Sequence, residues 1–272
     1  MADTFKKITE LKAICEQYDQ IQLKLNENTI ESGNGVKVFQ HTENGQLIGY
    51  LGVYDFGMTA EVCGMVHPDF RKKGIFTSLF KEAIEFIRET GYNTVLLNAP
   101  ASSVPGQAFI QKTGAVYKMT EYQMKWNNNE LSPPSEKLTL RKSQPADRAF
   151  QIDLDADGFS IPREEVEQFF DAEAADESTT SSIIEWEGQP AGKLRVHLMN
   201  DQYWIYGFVV SKELRGIGIG RHALLSVLHQ LQYGGREVHL EVEAENKGPL
   251  KLYESCGFEV YHAQDYFKWG RS

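Results

Sequence analysis

The same order of strand and helix patterns occurs twice in this chain, on either side of a polar segment at residues 127–137. That segment contains Pro133 and Pro134, and adjacent prolines can join neither a helix nor a central strand. The repeat, of about 130 residues, is too long for a solenoid. The sequence therefore predicts a duplicated domain, with residues 1–128 and 138–272 joined by a linker at 129–137.

Local patterns predict an α/β fold in each half, with helices on a central sheet. In the first half Glu43-Asn44-Gly45 predicts a hairpin turn, and Gly91 and Gly114 are expected to end two helices. The predicted helices of this half cover residues 5–25, 74–89 and 104–113, with strands at 94–97 and 121–126. The second half is predicted to have strands at 138–142, 180–187, 192–199, 203–210, 237–243 and on to Trp269, and helices at 145–152, 163–174, 220–233 and 247–255.

Composition and charge restrict the function. Hydrophobic residues make up 41% of the 272 residues, which is enough for a folded core. The 28 basic and 38 acidic residues give a net charge of −10, which argues against nucleic acid or an anionic membrane as the main partner. Three separated cysteines suggest neither disulfides nor a zinc site. Without a long apolar run or a signal-peptide pattern, the expected location is the cytoplasm.

A glycine-rich turn at residues 215–220 follows a β-branched strand and opens a helix. Glycines allow positive φ angles and close backbone approach, so the turn could hold a pyrophosphate at the helix N-terminus, assisted by Arg215 and Arg221. A Walker loop and a dinucleotide fingerprint both require other spacings. From the glycines alone, a tight connection that binds nothing remains the alternative.

The wider context resembles the GNAT superfamily of N-acetyltransferases. Arg215-x-x-Gly218-x-Gly220 is similar to the R/Q-x-x-G-x-G/A signature of that family, and Asn246 followed by Leu252-Tyr253 and Gly257-Phe258 resembles its second signature. The resemblance implies an α/β (α+β) fold, with two GNAT domains that each have a mixed, mostly antiparallel central sheet flanked by helices. The two-domain chain also resembles tandem acetyltransferases such as mycothiol synthases.

In the first half the first signature recurs and the second is degraded. Val66, Arg71 and Gly74 match the turn and are candidate coenzyme ligands, whereas Phe76 stands where Gly or Ala is usual. Alignment places Ile110 at the position of Tyr253 and Ser103 at that of Asn246. The N-terminal domain is therefore expected to be catalytically degenerate, serving as a structural or coenzyme-binding domain.

The resemblance implies acetyl-CoA as cosubstrate, direct transfer to a small-molecule or peptide amine, and no metal. Tyr253 is the implied general acid. Glu241 and Glu243 are possible bases, but either is more often the solvated side of a strand. The implied coenzyme-binding residues in the C-terminal domain are Phe208, Val210, Arg215, Gly216, Gly218, Gly220, Arg221 and Asn246. The rival hypothesis is a non-catalytic acyl-CoA-binding or regulatory protein; the acceptor and the oligomeric state are left open.

An acidic stretch at residues 153–177 contains ten acids and one base, Arg163. It would attract a cationic amine if it walls the acceptor site, and a solvated helix face is the equal alternative. Within it, Asp153-x-Asp155-x-Asp157-Gly158 with Glu164 satisfies the calcium-loop pattern. Ser160 at the usual apolar position and Pro162 late in the loop disfavour calcium.

Overall fold

The computed structural model describes residues 2–127, 130–174 and 178–270 and divides into two compact units. Unit 1 comprises residues up to 121 and from 262 onward, and unit 2 comprises residues 122–261. The end of the chain therefore belongs to the unit that is built mainly from the N-terminal half. The sequence-based boundaries at 128 and 138 follow the duplicated motifs rather than packing and stay a prediction; residues 128 and 129 of the linker region lie outside the described residues.

Unit 1 is a mixed sheet with helices on it. Its elements are α1 (Ala2–Asp19), α2 (Glu27–Ser32), β1 (Val36–Glu43), β2 (Gln46–Phe56), β3 (Thr59–Val66), α3 (Ile75–Thr90), β4 (Thr94–Pro100), α4 (Val104–Thr113), the start of β5 (Val116–Trp126) and the end of β11 (Phe258–Trp269). Strands β1, β2, β3, β4 and β11 are neighbours in that order, and β3 and β4 are parallel.

The core of unit 1 lies on both faces of this sheet. Because side chains alternate along a strand, Val62 and Val66 of β3 pack in one cluster with α3, whereas Cys63 and Met65 pack in another with α1. Helix α3 ends where predicted, since Gly91 adopts φ +80° and its N–H bonds the Ile87 carbonyl.

Unit 2 repeats this arrangement. Its elements are β6 (Leu138–Lys142), α5 (Arg148–Phe159), α6 (Arg163–Ala174), β7 (Thr179–Trp186), β8 (Gln189–Met199), β9 (Gln202–Val210), α7 (Ile219–Leu231), β10 (Val238–Glu243) and α8 (Lys247–Ser255), with the end of β5 and the start of β11. Strands β10, β9, β8, β7 and β6 are neighbours in that order, and β9 and β10 are parallel. The mixed α/β fold class predicted from the sequence is confirmed. The helix predicted at residues 5–25 ends at Asp19, where Gln20 adopts a left-handed conformation (φ +54°), and the short helix α2 was not predicted.

The calcium-loop pattern does not form a loop. Asp153, Asp155, Asp157 and Gly158 lie in the continuous helix α5, which begins at Arg148 after a short 3-10 turn and continues to Phe159, beyond the predicted end at 152. A calcium loop needs irregular backbone that turns its oxygens inward, and a helix cannot supply it.

In the described part of the chain, no helix is both long and apolar enough to cross a membrane.

Candidate active site

In unit 2 a glycine turn connects strand β9 to helix α7. Arg215 is extended (φ −72°, ψ 152°), Gly216 follows with φ +85° and Gly218 with φ +94°, and α7 begins at Ile219. Such positive φ angles suit glycine because it has no side chain to crowd the backbone. The first N–H groups of a helix lack helical acceptors and carry partial positive charge. The turn is therefore shaped to bind an anion such as a diphosphate.

The turn of unit 1 follows the same backbone path with a different sequence. Arg71 is extended (φ −68°, ψ 160°), Lys72 has φ +63°, Gly74 has φ +82°, and α3 begins at Ile75. Lys72 thus adopts the left-handed conformation that Gly216 has in unit 2. Unit 1 keeps this backbone shape although Lys72 and Phe76 stand where unit 2 has Gly216 and Gly220.

The arginine of each turn fastens the turn to its own unit. Arg215 donates from Nε to the Val210 carbonyl (2.9 Å) and from a terminal nitrogen to Asp157 (2.7 Å). Arg71 donates from Nε to the Val66 carbonyl (3.0 Å) and from both terminal nitrogens to Asp19 (2.8 and 2.7 Å). Each guanidinium already has a carboxylate partner, so anion binding at the turn falls chiefly to main-chain N–H groups.

A slot opens beside each turn because two parallel strands pair over only part of their length. In unit 1 the register of β3 with β4 runs from Thr59 to Val62, and β3 continues to Val66. In unit 2 the register of β9 with β10 runs from Tyr203 to Ile205, and β9 continues to Val210. Backbone beyond the paired segment can bind an extended ligand as a strand would.

The slot of unit 2 has a β-bulge that the slot of unit 1 lacks. Lys193 of β8 is opposite Val209 and Arg195 is opposite Tyr206, so two residues of β9, Gly207 and Phe208, face one residue of β8. Gly207 has φ +58°. The register of β2 with β3 has no shift. A bulge removes peptide groups from the ladder and redirects side chains, as is common beside active sites.

An aromatic ring comes from opposite elements in the two slots. In unit 2, Phe208 lies two residues before the end of β9, and a Cβ at Gly220 would lie 3.8 Å from its ring. In unit 1, Gly64 takes the position of Phe208, and a Cβ there would lie 2.9 Å from the ring of Phe76. The unusual Phe76 therefore replaces the ring of Phe208 and does not simply block the turn. The sequence signal was the joint occurrence of a small and a large residue at these positions.

Tyr253 on α8 packs beside the slot of unit 2. Its side chain is 8% exposed, and its ring lies 6.5 Å from that of Phe208 and 6.2 Å from that of Phe258, centroid to centroid. Burial raises the pKa of the Tyr253 hydroxyl to about 12. Ile110, at the matching position of α4, is buried and has no proton to give.

The starts of α8 and α4 match as predicted. Asn246 and Ser103 are the N-cap residues, and the Ser103 hydroxyl accepts a hydrogen bond from the Gly106 N–H (3.3 Å). The exposed Asn246 side chain makes no capping bond. Arg221 at the start of α7 donates to the carbonyl and hydroxyl of Ser255 (2.8 and 2.7 Å), which ties α7 to the end of α8.

The candidate bases have differing surroundings. Glu241 lies on β10 and accepts a hydrogen bond from Gln123 (2.8 Å), whereas Glu243 is exposed at the strand end. Asn98, which cannot act as a base, stands where unit 1 would have Glu241, since each lies five residues before the helix cap. His239 is buried against Trp204 (ring centroids 4.9 Å apart), and burial lowers its pKa.

Much of the described acidic stretch is paired. Asp153 accepts from Arg163 (2.8 Å), Asp157 accepts from Arg215, and Asp155 forms a buried ion pair with Lys193 of β8. The first helix of unit 2 therefore presents less free negative charge than its sequence suggests. Asp176 and Glu177, at the end of the stretch, lie outside the described residues. Within the residues that are described, no three His, Cys, Asp or Glu side chains are grouped to hold a metal ion.

Unit 1 contains a cavity of about 690 Å³ at its slot. The wall includes the turn at Arg71, Lys72 and Gly74, the ends of β3 and β4, and side chains of α3 and α4. Lys81 and Lys112 add positive charge on the helix side. The volume lies within the range of about 300–1,000 Å³ that ligand pockets usually have.

Comparison with solved structures finds the same fold over nearly the whole chain. A GCN5-related N-acetyltransferase from Sphaerobacter thermophilus superposes with a TM-score of 0.78 at 21% identity, covering 96% of this chain and 91% of that one. A tandem GNAT protein from the clavulanic acid biosynthesis pathway superposes with a TM-score of 0.73 at 17% identity, covering 100% and 96%. At these identities the likeness concerns the fold alone.

Sequence comparison gives the family. A mycothiol acetyltransferase from Kocuria rhizophila is 41% identical over 59 residues, which span 21% of this chain and 20% of that protein. The acetyltransferase (GNAT) family pattern matches twice, at residues 5–115 and 146–258, and so covers most of both halves. The chain therefore belongs to the GNAT acetyltransferase family, with two GNAT domains in tandem.

Proposed function

We propose that this chain is an acetyl-CoA-dependent N-acetyltransferase in which the C-terminal domain, through unit 2, transfers the acetyl group directly to an amine. The observation that carries the proposal is the combination of the bulge at Gly207 with Tyr253 beside the slot of unit 2. Unit 1 has a regular strand and Ile110 at these places. The proposed acceptor is a small-molecule or peptide amine; that it is cationic stays a prediction, because Asp153, Asp155 and Asp157 are already paired with basic side chains.

Coenzyme binding in this proposal uses main-chain groups. The diphosphate binds the turn N–H groups, which Arg215 and Arg221 hold in place through their bonds to neighbouring backbone. The pantetheine arm lies in the slot along β9 and reaches Asn246 on the other side. The proposed coenzyme-binding residues are Phe208, Val210, Arg215, Gly216, Gly218, Gly220, Arg221 and Asn246.

The proposed chemistry is a direct acyl transfer. The amine nitrogen attacks the thioester carbon while the Val210 N–H stabilises the negative charge that develops on the carbonyl oxygen. The carbon–nitrogen bond forms, the carbon–sulfur bond breaks, and the Tyr253 hydroxyl gives its proton to the departing thiolate. The surplus proton of the new amide nitrogen leaves to water, and Tyr253 recovers a proton from water before the next turnover. The raised pKa of Tyr253 keeps its hydroxyl protonated at neutral pH.

Replacing the Tyr253 hydroxyl tests this role. In Tyr253→Phe we expect kcat to fall by about 100-fold or more while the Kd for coenzyme A changes little. Tyr233→Phe, at a tyrosine of unit 2 that is 87% exposed, is the matched control and should leave both values unchanged. Unchanged kcat in Tyr253→Phe would remove Tyr253 from the mechanism.

A non-catalytic acyl-CoA-binding protein is the second candidate. It is favoured because neither candidate base stands out: Glu241 accepts a hydrogen bond from Gln123, and Glu243 is exposed at the strand end. Coenzyme release measured against a panel of amines separates the candidates, because binding without turnover on any amine would support the second one.

A cytoplasmic location stays a prediction, and cell fractionation tests it.

For unit 1 we propose coenzyme binding without transfer. Its turn has the anion-binding backbone shape, and Val66, Arg71 and Gly74 are its proposed coenzyme-binding residues. Transfer is not proposed there because Ile110 has no proton to donate to a leaving thiolate.

A further inference from the structure

The cavity of unit 1 reaches both faces of its sheet. Its lining includes Val66 and Ile110 from the core cluster on the α3 side, and it also includes Cys63 and Met65 from the cluster on the α1 side. Residues of both clusters line this one cavity, as is expected of a cavity that passes through the sheet. The slot between β3 and β4, beyond Val62, provides that passage.

The part of the cavity on the α1 side, which we name the inner chamber, is mainly apolar, with Cys15, Leu23, Leu25, Cys63 and Met65 in its lining. The charged residues of the cavity lining nearby are ion-paired, Arg71 with Asp19 and Lys24 with Glu121. Burial raises the pKa of the Cys15 thiol to about 11 and that of the Cys63 thiol to about 12, so both thiols are neutral at physiological pH. The chamber therefore offers a surface suited to hydrocarbon.

An amine acceptor would find little help there. Among the described residues that line the cavity, Asp19 supplies the carboxylate, and both of its oxygens accept hydrogen bonds from Arg71. An ammonium group would be desolvated without a free counter-charge, which is costly. The chamber thus suits an apolar occupant better than the reacting amine of a transferase.

We propose that the inner chamber of unit 1 holds the acyl chain of an acyl-CoA longer than acetyl-CoA. This inference rests on the proposed binding of coenzyme to the unit 1 turn. With the diphosphate at that turn and the pantetheine in the slot, the thioester lies where β3 and β4 separate. The acyl chain then continues through the sheet into the chamber. Unit 1 is accordingly a binding site for medium-chain acyl-CoA.

A homologous series of acyl-CoAs measures this directly. Calorimetric titration uses the full chain carrying Gly218→Val, which disrupts the turn of unit 2, with acetyl-, butyryl-, hexanoyl- and octanoyl-CoA as probes. Each methylene that enters the chamber should tighten binding about fourfold until the chamber is full. If Gly218→Val does not fold, the difference between the unaltered chain and the Gly74→Val chain gives the same comparison.

A substitution in the chamber locates the effect. Leu25→Trp should weaken hexanoyl- and octanoyl-CoA binding at least tenfold while acetyl-CoA binding is unchanged. The matched control, Ile14→Trp, adds the same ring on α1 at a side chain that is 38% exposed and should change neither. An affinity that is flat or falls with chain length would overturn the inference and leave coenzyme binding intact. Failure of unit 1 to bind any acyl-CoA would overturn both.

Discussion

The two units differ most beneath their first helices. Gly49 of β2 and Gly192 of β8 occupy matching positions in the two units. The residue that follows is Tyr50 in unit 1 and Lys193 in unit 2. The Tyr50 hydroxyl shares a 2.9 Å hydrogen bond with Tyr54, whereas Lys193, only 1% exposed, forms an ion pair with Asp155. We call the buried polar pair beneath the first helix of each unit its floor. The floor is neutral in unit 1 (Tyr50 and Tyr54) and charged in unit 2 (Lys193 and Asp155).

This difference continues into the slots. The neutral floor of unit 1 adjoins an apolar chamber and a slot with Ile110 in place of the tyrosine hydroxyl. The charged floor of unit 2 lies under the strand that has the bulge, near the helix that carries the acidic stretch. Both units therefore keep the same turn backbone, while the side chains around it are mainly apolar in unit 1 and include more charged groups in unit 2.

Breaking the charged floor should have the largest effect on stability. Lys193→Met leaves the Asp155 carboxylate buried without its cation, which should lower the free energy of unfolding by about 3–5 kcal/mol. The double change Asp155→Leu with Lys193→Met should restore most of that loss. Tyr50→Phe, the matching change in unit 1, should cost only about 1 kcal/mol because it removes one neutral hydrogen bond. Urea unfolding measures all three, and equal losses in Lys193→Met and Tyr50→Phe would contradict the comparison.

The bulge can be tested with a matched pair of glycines. In Gly207→Ala the new Cβ would lie 2.7 Å from Arg195 at φ +58°, and we expect kcat/KM to fall by about 100-fold as the oxyanion donor shifts. Gly188→Ala also requires positive φ (+77°), but its Cβ meets nothing within 4 Å. Each change should cost about 1–2 kcal/mol of stability. Equal activity in the two variants would show that the bulge is only structural.

The sequence alone predicts the repeated element order and the fold, because glycine turns, helix ends and apolar periodicity are local signals. Gly91 and Gly114 end their helices as predicted. Lys193 could not be foreseen as buried, since its partner comes from a helix 38 residues away. Gly207 within a strand pattern was an available signal for a bulge.

Two further features of the site depend on contacts between elements. In unit 1 the aromatic ring beside the slot comes from Phe76 of helix α3, and the strand has Gly64 where unit 2 has Phe208. Because the arrangement needs one residue from the strand and one from the helix, neither residue reveals it by itself. The same holds for Arg215, whose bond to Asp157 of helix α5 cannot be seen from the turn sequence. Pairings across the fold, rather than local propensity, decide these points.

The thiols of unit 1 predict a smaller effect, confined to alkaline pH. The ordinary thiol pKa is 9.0, and burial raises that of Cys15 to about 11. The unfolded chain therefore releases this proton first, so the thiol's contribution to stability is complete below pH 9 and is lost as the pH rises towards 11. Over this range the free energy of unfolding should fall by about 1.4 kcal/mol per pH unit for each such thiol. Between pH 8 and 10.5, the free energy of unfolding measured with urea should fall less steeply with pH in Cys15→Ala than in the unaltered chain. An identical slope would show that the Cys15 side of the chamber admits water, which would weaken the contrast between an apolar unit 1 and a polar unit 2.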